Sequence, residues 1–194
     1  MRDRNADIIR YLIENCDKEL NILAIAKSVK MDYKNAFSIV KRLESEKIIT
    51  LTKFGASNRV KLNKVIHPTV FEAEYVRRKE ILRNKNILVM LGHIIKDIGS
   101  ALYVLLLFGS YAKKTQTGKS DIDIMFIVSD GTEEKIEKKV HQAVNILSLP
   151  IHNLIFSESQ FIDMVNAKEF NVGKEAVKHN VILHGIENYY ELIQ

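Results

Sequence analysis

Leu102-Tyr103-Val104-Leu105-Leu106-Leu107-Phe108-Gly109-Ser110-Tyr111-Ala112 is followed, after a short polar stretch, by Lys119-Ser120-Asp121-Ile122-Asp123-Ile124. The continuous apolar run Leu102 to Phe108 has the pattern of a strand buried on both faces, and it ends at a glycine that lets the backbone turn sharply. A residue without Cβ lets phosphate oxygens approach main-chain N–H groups, and a neighbouring serine hydroxyl adds a donor. Gly109 and Ser110 are therefore candidate phosphate-binding residues. In a strand, side chains alternate, so Asp121 and Asp123 share a face with Cα atoms roughly 6.6 Å apart. Two carboxylates side by side repel each other, and a hard divalent cation such as Mg²⁺ or Mn²⁺, which prefers oxygen ligands and substrate phosphates, removes that repulsion. Ile122, Ile124, Phe126 and Val128 fall on the other face and are predicted to bury against helices.

The segment Gly109-Ser110-Tyr111-Ala112-Lys113 to Ser120-Asp121-Ile122-Asp123-Ile124 resembles the Gly-Ser-x-Ala-Arg/Lys … Ser-Asp-Ile-Asp-Leu signature of the polymerase-β-like nucleotidyltransferases, closest to their small, minimal prokaryotic members. The similarity extends over roughly residues 87 to 190 and includes Val181-Ile182-Leu183-His184-Gly185, like the apolar-apolar-Leu-Tyr-Gly that closes many such domains. The resemblance implies a short mixed sheet flanked by helices. It implies Gly109 and Ser110, with Lys113 and Ser120 of the same signature, on a nucleoside triphosphate. It implies Asp121 and Asp123 as catalytic residues and ligands of Mg²⁺ (or Mn²⁺), in transfer of a nucleoside monophosphate to an acceptor hydroxyl with release of pyrophosphate.

Two departures from the family pattern stand out. Lys114 follows Lys113 where the signature usually has glycine, which predicts a different loop path. Active members carry a third carboxylate on the next core strand, and Ile151-His152-Asn153-Leu154-Ile155-Phe156 contains none; by register His152 or Asn153 stands in its place. In a two-metal transfer the third acid helps activate the attacking hydroxyl, so nucleotide binding could survive its loss while turnover falls. A neutral His152 is one candidate general base and Glu158 another. Ser157 with Gln160 three residues on reads as a capping box opening the following helix.

The chain has 194 residues, enough for one large or two small domains, with one cysteine, Cys16, and a net charge of +5. No apolar stretch reaches the length of a membrane helix and no signal-peptide pattern opens the chain, so a cytoplasmic location without a membrane partner is expected. The six histidines show no metal-ligand spacing. Charge is unevenly placed. Residues 1–86 hold 19 Lys and Arg against 11 Asp and Glu, residues 87–194 hold 10 against 13, and every arginine lies at or before Arg83. A basic first half suits nucleic acid.

Its apolar pattern fits three short helices: Ile8, Ile9, Leu12 and Ile13; then Ile22, Leu23, Ile25, Ala26 and Val29; then a helix capped by Asp32 whose inner face is Ala36, Phe37, Val40 and Leu43. Two strands follow, Lys47 to Lys53 and Arg59 to Leu62, around the loop Phe54-Gly55-Ala56-Ser57-Asn58. Residues 3–64 thus resemble a winged helix-turn-helix domain. That resemblance implies Lys34, Asn35, Ser38, Lys41 and Arg42 facing the major groove of DNA (or RNA), Lys53 and Arg59 at the wing, a role in transcription regulation, and possible homodimers. The expected organisation is α/β (α+β): a winged helix-turn-helix over 1–66, a linker helix over 67–86 carrying a solvated Arg77, Arg78, Lys79, Arg83, Lys85 cluster, and a nucleotidyltransferase-like domain over 87–194. A transferase and a nucleotide-sensing regulator that has lost catalysis are both compatible with these residues.

Overall fold

The computed structural model describes residues 4–55, 57–99 and 102–194, so residues 1–3 and Ala56 of the expected first domain lie outside the described residues. The chain divides into two units, Met1–Val76 (with Gln194) and Arg77–Ile193, and the division falls inside the helix Pro68–Ile81.

In the first unit the order is α1 (Arg4–Glu14), β1 (Leu20–Asn21), α2 (Ile22–Ser28), α3 (Tyr33–Ser45), β2 (Ile49–Phe54) and β3 (Ser57–Leu62). Asp32 caps α3, its carboxylate accepting from the Asn35 N–H at 2.9 Å, and Asn21 caps α2 in the same way through the Ala24 N–H at 2.8 Å. The strands form an antiparallel sheet in the order β1-β3-β2, with Leu51 opposite Val60 and Leu20 on the other side of Val60. Ile8, Ile9, Ile25, Ala36, Val40 and Leu43 are buried. The expectation for Phe37 fails. It is 39% exposed, because the spacing of Ala36, Val40 and Leu43 defines the buried stripe of α3 and Phe37 sits about 100° round from Ala36.

The dividing helix is α4 (Pro68–Ile81), and the second unit continues with α5 (Lys85–Ile98), β4 (Tyr103–Leu107), α6 (Gly109–Ala112), β5 (Ile122–Val128), α7 (Glu133–Asn145), β6 (Ile151–Ser157), α8 (Glu158–Asn166), α9 (Val172–Lys178), β7 (Val181–His184) and α10 (Ile186–Leu192). The sheet order is β6-β5-β4-β7; β5 and β6 run parallel and the other pairs antiparallel. Every residue of β4 is buried, as the apolar run predicts, but Leu102 lies outside the strand and is 75% exposed. Tyr103, Leu105 and Leu107 share one face with Ile122, Ile124, Phe126 and Val128, packed with Ile87, Met90, Leu91 and Ile94 of α5 and Ile136, Val140 and Ala143 of α7. The alternation of β5 leaves Asp123, Met125 and Ile127 on the opposite face.

Of the expected solvated cluster, Lys79, Arg83 and Lys85 are exposed and Arg78 is half-buried, but Arg77 departs from it. Arg77 is buried and donates to the Asn180 carbonyl. Arg78 lies close enough to Tyr103 and His184 to act on both, and those two rings stack with centroids 4.4 Å apart. Burial, then the Arg78 charge, holds the His184 imidazole below its usual pKa; burial raises that of the Tyr103 phenol.

Gly185 closes the sheet. Its φ is 75°, and a Cβ there would meet the Tyr103 carbonyl oxygen at 2.7 Å and the Val104 Cα at 3.2 Å. Both obstacles are backbone, so relief requires moving β4. Gly185→Ala is expected to lower stability by about 2–4 kcal/mol, from left-handed strain plus overpacking, read as a drop in the urea midpoint. A midpoint within error of the parent would disprove this close approach.

Candidate active site

The two motifs converge because β4 and β5 are antiparallel neighbours. Leu107 pairs with Ile124, and the Phe108 N–H donates to the Asp123 carbonyl at 3.0 Å, so the end of β4 lies beside the start of β5. The chain turns there into α6, which begins at Gly109 with φ 64°. A Cβ on Gly109 would lie 2.2 Å from Asp123 Oδ2 and 3.0 Å from its Cγ. Glycine is required here twice, for the backbone angle and for the space that the Asp123 carboxylate fills. Ser110 follows in the first turn of α6, whose leading N–H groups have no partner within the helix.

Gly109→Ala is therefore expected to push the Asp123 carboxylate out of place at a stability loss of only about 1–2 kcal/mol, since a short side chain can rotate where a backbone cannot. Metal-dependent nucleotide affinity, measured by calorimetry, should fall at least about tenfold. Unchanged affinity would show that the Gly109–Asp123 contact is not part of the site.

Asp121 is exposed and immediately precedes β5, while the Asp123 side chain is 26% exposed. Opposite Asp123 in the parallel register stands His152, its Nδ1 3.3 Å from Asp123 Oδ1; Asn153 pairs with Ile124. The register sets the two candidates on opposite faces of the sheet. His152 occupies the carboxylate face, and Asn153 belongs to the face that packs against helices.

Lys113 follows α6, and its ammonium is held by Glu175 of α9 at 2.6 Å. Ser120 shapes the loop before β5, its Oγ accepting from the Thr117 N–H at 2.9 Å while its own N–H donates to the Thr117 carbonyl at 3.1 Å. Lys114 takes φ 59°, the left-handed conformation for which glycine is suited. Glu158 opens α8 at the far end of β6, next to Ser157 and Gln160, whose reciprocal bonds of 3.2 and 3.0 Å complete the predicted capping box. It is therefore six residues along the strand from His152, too far to replace a carboxylate there.

The donor set of Asp121 and Asp123 is two hard carboxylates at a strand start beside an N-terminal helical turn, which fits one oxygen-preferring divalent ion completed by water and phosphate. Among the described residues no group of three His, Cys, Asp or Glu side chains is arranged to hold a metal ion. No helix among them is long and apolar enough to cross a membrane.

The Gly109–Asp123 contact escapes a reading of the sequence, because it depends on the register of two strands. The spacing of Glu175 from Lys113 carries no signal either. His152 is legible as one of two candidates, and strict alternation along Ile151 to Phe156 separates them once the start of the strand is known.

In the first unit, Lys34, Asn35, Ser38, Lys41 and Arg42 are all exposed on α3. Lys41 pairs with Glu44 at 2.8 Å and Arg42 donates to Asn5 Oδ1. The Asn35 amide donates to Asp32. Arg59 pairs with Glu19 at 3.0 Å, and Lys53 is exposed on β2.

Residues 94–188 match the family model described as Polymerase beta, Nucleotidyltransferase. The matched segment contains every residue of the site from Gly109 to Glu175, and it is similar to nucleotidyltransferase domains, which usually use divalent metals. No curated protein and no solved structure gives a match.

Proposed function

We propose that the second unit binds a nucleoside triphosphate with Mg²⁺ (or Mn²⁺) and transfers its nucleoside monophosphate to an acceptor hydroxyl, and that the first unit is a winged helix-turn-helix that binds nucleic acid. The observation that carries the first part is the seating of the Asp123 carboxylate against the Cβ-free face of Gly109. It brings anion-binding backbone and metal-binding carboxylate to one point, as a bound metal–triphosphate needs.

Each residue then has a defined task. The N–H groups of Gly109 and Ser110, with the Ser110 hydroxyl, bind phosphate oxygens. Asp121 and Asp123 hold the divalent ion, which supplies charge neutralisation at the phosphates. Lys113 is a phosphate ligand in waiting, since a triphosphate would compete with Glu175 for its ammonium. Ser120 keeps the loop that presents Asp121 in shape.

A second reading has one observation in its favour: the residue opposite Asp123 on the neighbouring strand is His152 and not an acid. On that reading the unit senses nucleotide and passes its occupancy to nucleic-acid affinity. Release of pyrophosphate with formation of a nucleotide-labelled product separates the two. Calorimetry with ATP, GTP, CTP and UTP plus Mg²⁺ tests the site itself, and silence with all four would reject both readings.

A further inference from the structure

Tyr33 and Phe37, on the outward side of α3, are 52% and 39% exposed, with ring centroids 6.1 Å apart and planes inclined by 32°. They stand one helical turn apart in a row that continues to Lys41, and Lys34 and Ser38 flank them, both exposed. Other polar side chains of the helix make surface contacts: Asn35 with Asp32, Arg42 with Asn5, Lys41 with Glu44. Two exposed rings are thus presented among lysines on one face of α3, where the surface pair of Lys41 with Glu44 is open to exchange for a phosphate.

A duplex keeps the faces of its bases covered by their neighbours and offers a helix only base edges and phosphates. A single strand offers the faces themselves, and aromatic side chains between cations bind those without regard to sequence. We propose that α3 binds single-stranded nucleic acid, bases stacking on Tyr33 and Phe37 and phosphates running past Lys34 and Lys41. The inference rests on the reading of the first unit as a nucleic-acid-binding domain, and narrows its ligand from duplex to single strand.

The test uses the full chain and labelled oligonucleotides of about 12 nucleotides, single-stranded DNA, single-stranded RNA and duplex DNA, by fluorescence anisotropy at low and high salt. A single strand of either sugar should bind at least about tenfold more tightly than duplex, with a negative salt slope. Phe37→Ala should weaken single-strand binding by roughly 5- to 100-fold. Phe37→Leu, which keeps apolar bulk without a ring, should behave like Phe37→Ala, and Phe37→Tyr should restore binding. An unchanged urea midpoint checks that these exposed substitutions leave the fold alone. Duplex binding as tight as single-strand binding, indifferent to Phe37→Ala, would overturn stacking and leave the nucleic-acid reading standing. No salt-sensitive binding to any oligonucleotide would overturn both. Self-association lost on Phe37→Ala, without oligonucleotide binding, would assign the rings to a contact between copies and overturn the proposal.

Discussion

A chain carrying Asp121→Asn together with Asp123→Asn is expected to bind every nucleoside triphosphate at least about 100-fold more weakly in the presence of Mg²⁺, because two charged interactions worth roughly 1.5–3 kcal/mol each are removed. Asparagine keeps the size of each side chain, so the space over Gly109 stays filled and the sheet register is unaffected. Removing two neighbouring negative charges relieves repulsion in the metal-free protein. The urea midpoint should therefore hold or rise slightly while binding disappears, which separates a damaged site from a damaged fold. Calorimetry with and without Mg²⁺ gives the decisive comparison. Binding that needs no metal and survives both substitutions would place the nucleotide elsewhere.

His152→Asp is the second large effect. The histidine side chain projects beside Asp123, Nδ1 to Oδ1 3.3 Å, so an aspartate there would stand beside Asp123. If the missing acid limits turnover, pyrophosphate release should rise by about 100-fold or more, the lower end of what a positioned base contributes. A third carboxylate also adds repulsion, so the metal-free variant should be less stable than the parent and regain more stability on addition of Mg²⁺. Asn153→Asp is the built-in control. Asn153 is paired with the buried Ile124, on the other face of the sheet, and its replacement should give no gain in turnover. An equal rise in both variants would refute the register argument, and no rise in either would favour a protein that binds without transferring.

The elements that the sequence displays clearly are those whose signals are local. Periodicity over Ile87 to Ile98 marks α5, the apolar run marks β4, Asp32 and Ser157 mark the helices they cap, and the alternation of β5 sets Asp123 opposite the core, with Asp121 just before the strand. Phe37 departs from expectation because an apolar stripe read along a sequence has a soft edge, and packing of Ala36, Val40 and Leu43 settles which side of α3 turns inward. Arg77 departs for a related reason. A basic run looks solvated until a distant carbonyl, that of Asn180, lies within reach of a guanidinium.

The residue types on which the proposed chemistry rests are already present in the sequence: a glycine-serine pair after an apolar run, two carboxylates two residues apart, no acid on the strand that follows, and a basic first half. Those are properties of residue type and spacing, which the chain carries before it folds. Which residues meet is settled later, by the packing of distant segments. Antiparallel pairing of β4 with β5 sets Gly109 against Asp123, parallel pairing of β5 with β6 selects His152 over Asn153, and α9 delivers Glu175 to Lys113. Register and long-range packing have no signature in any single segment, since each depends on how one strand or helix is placed against another.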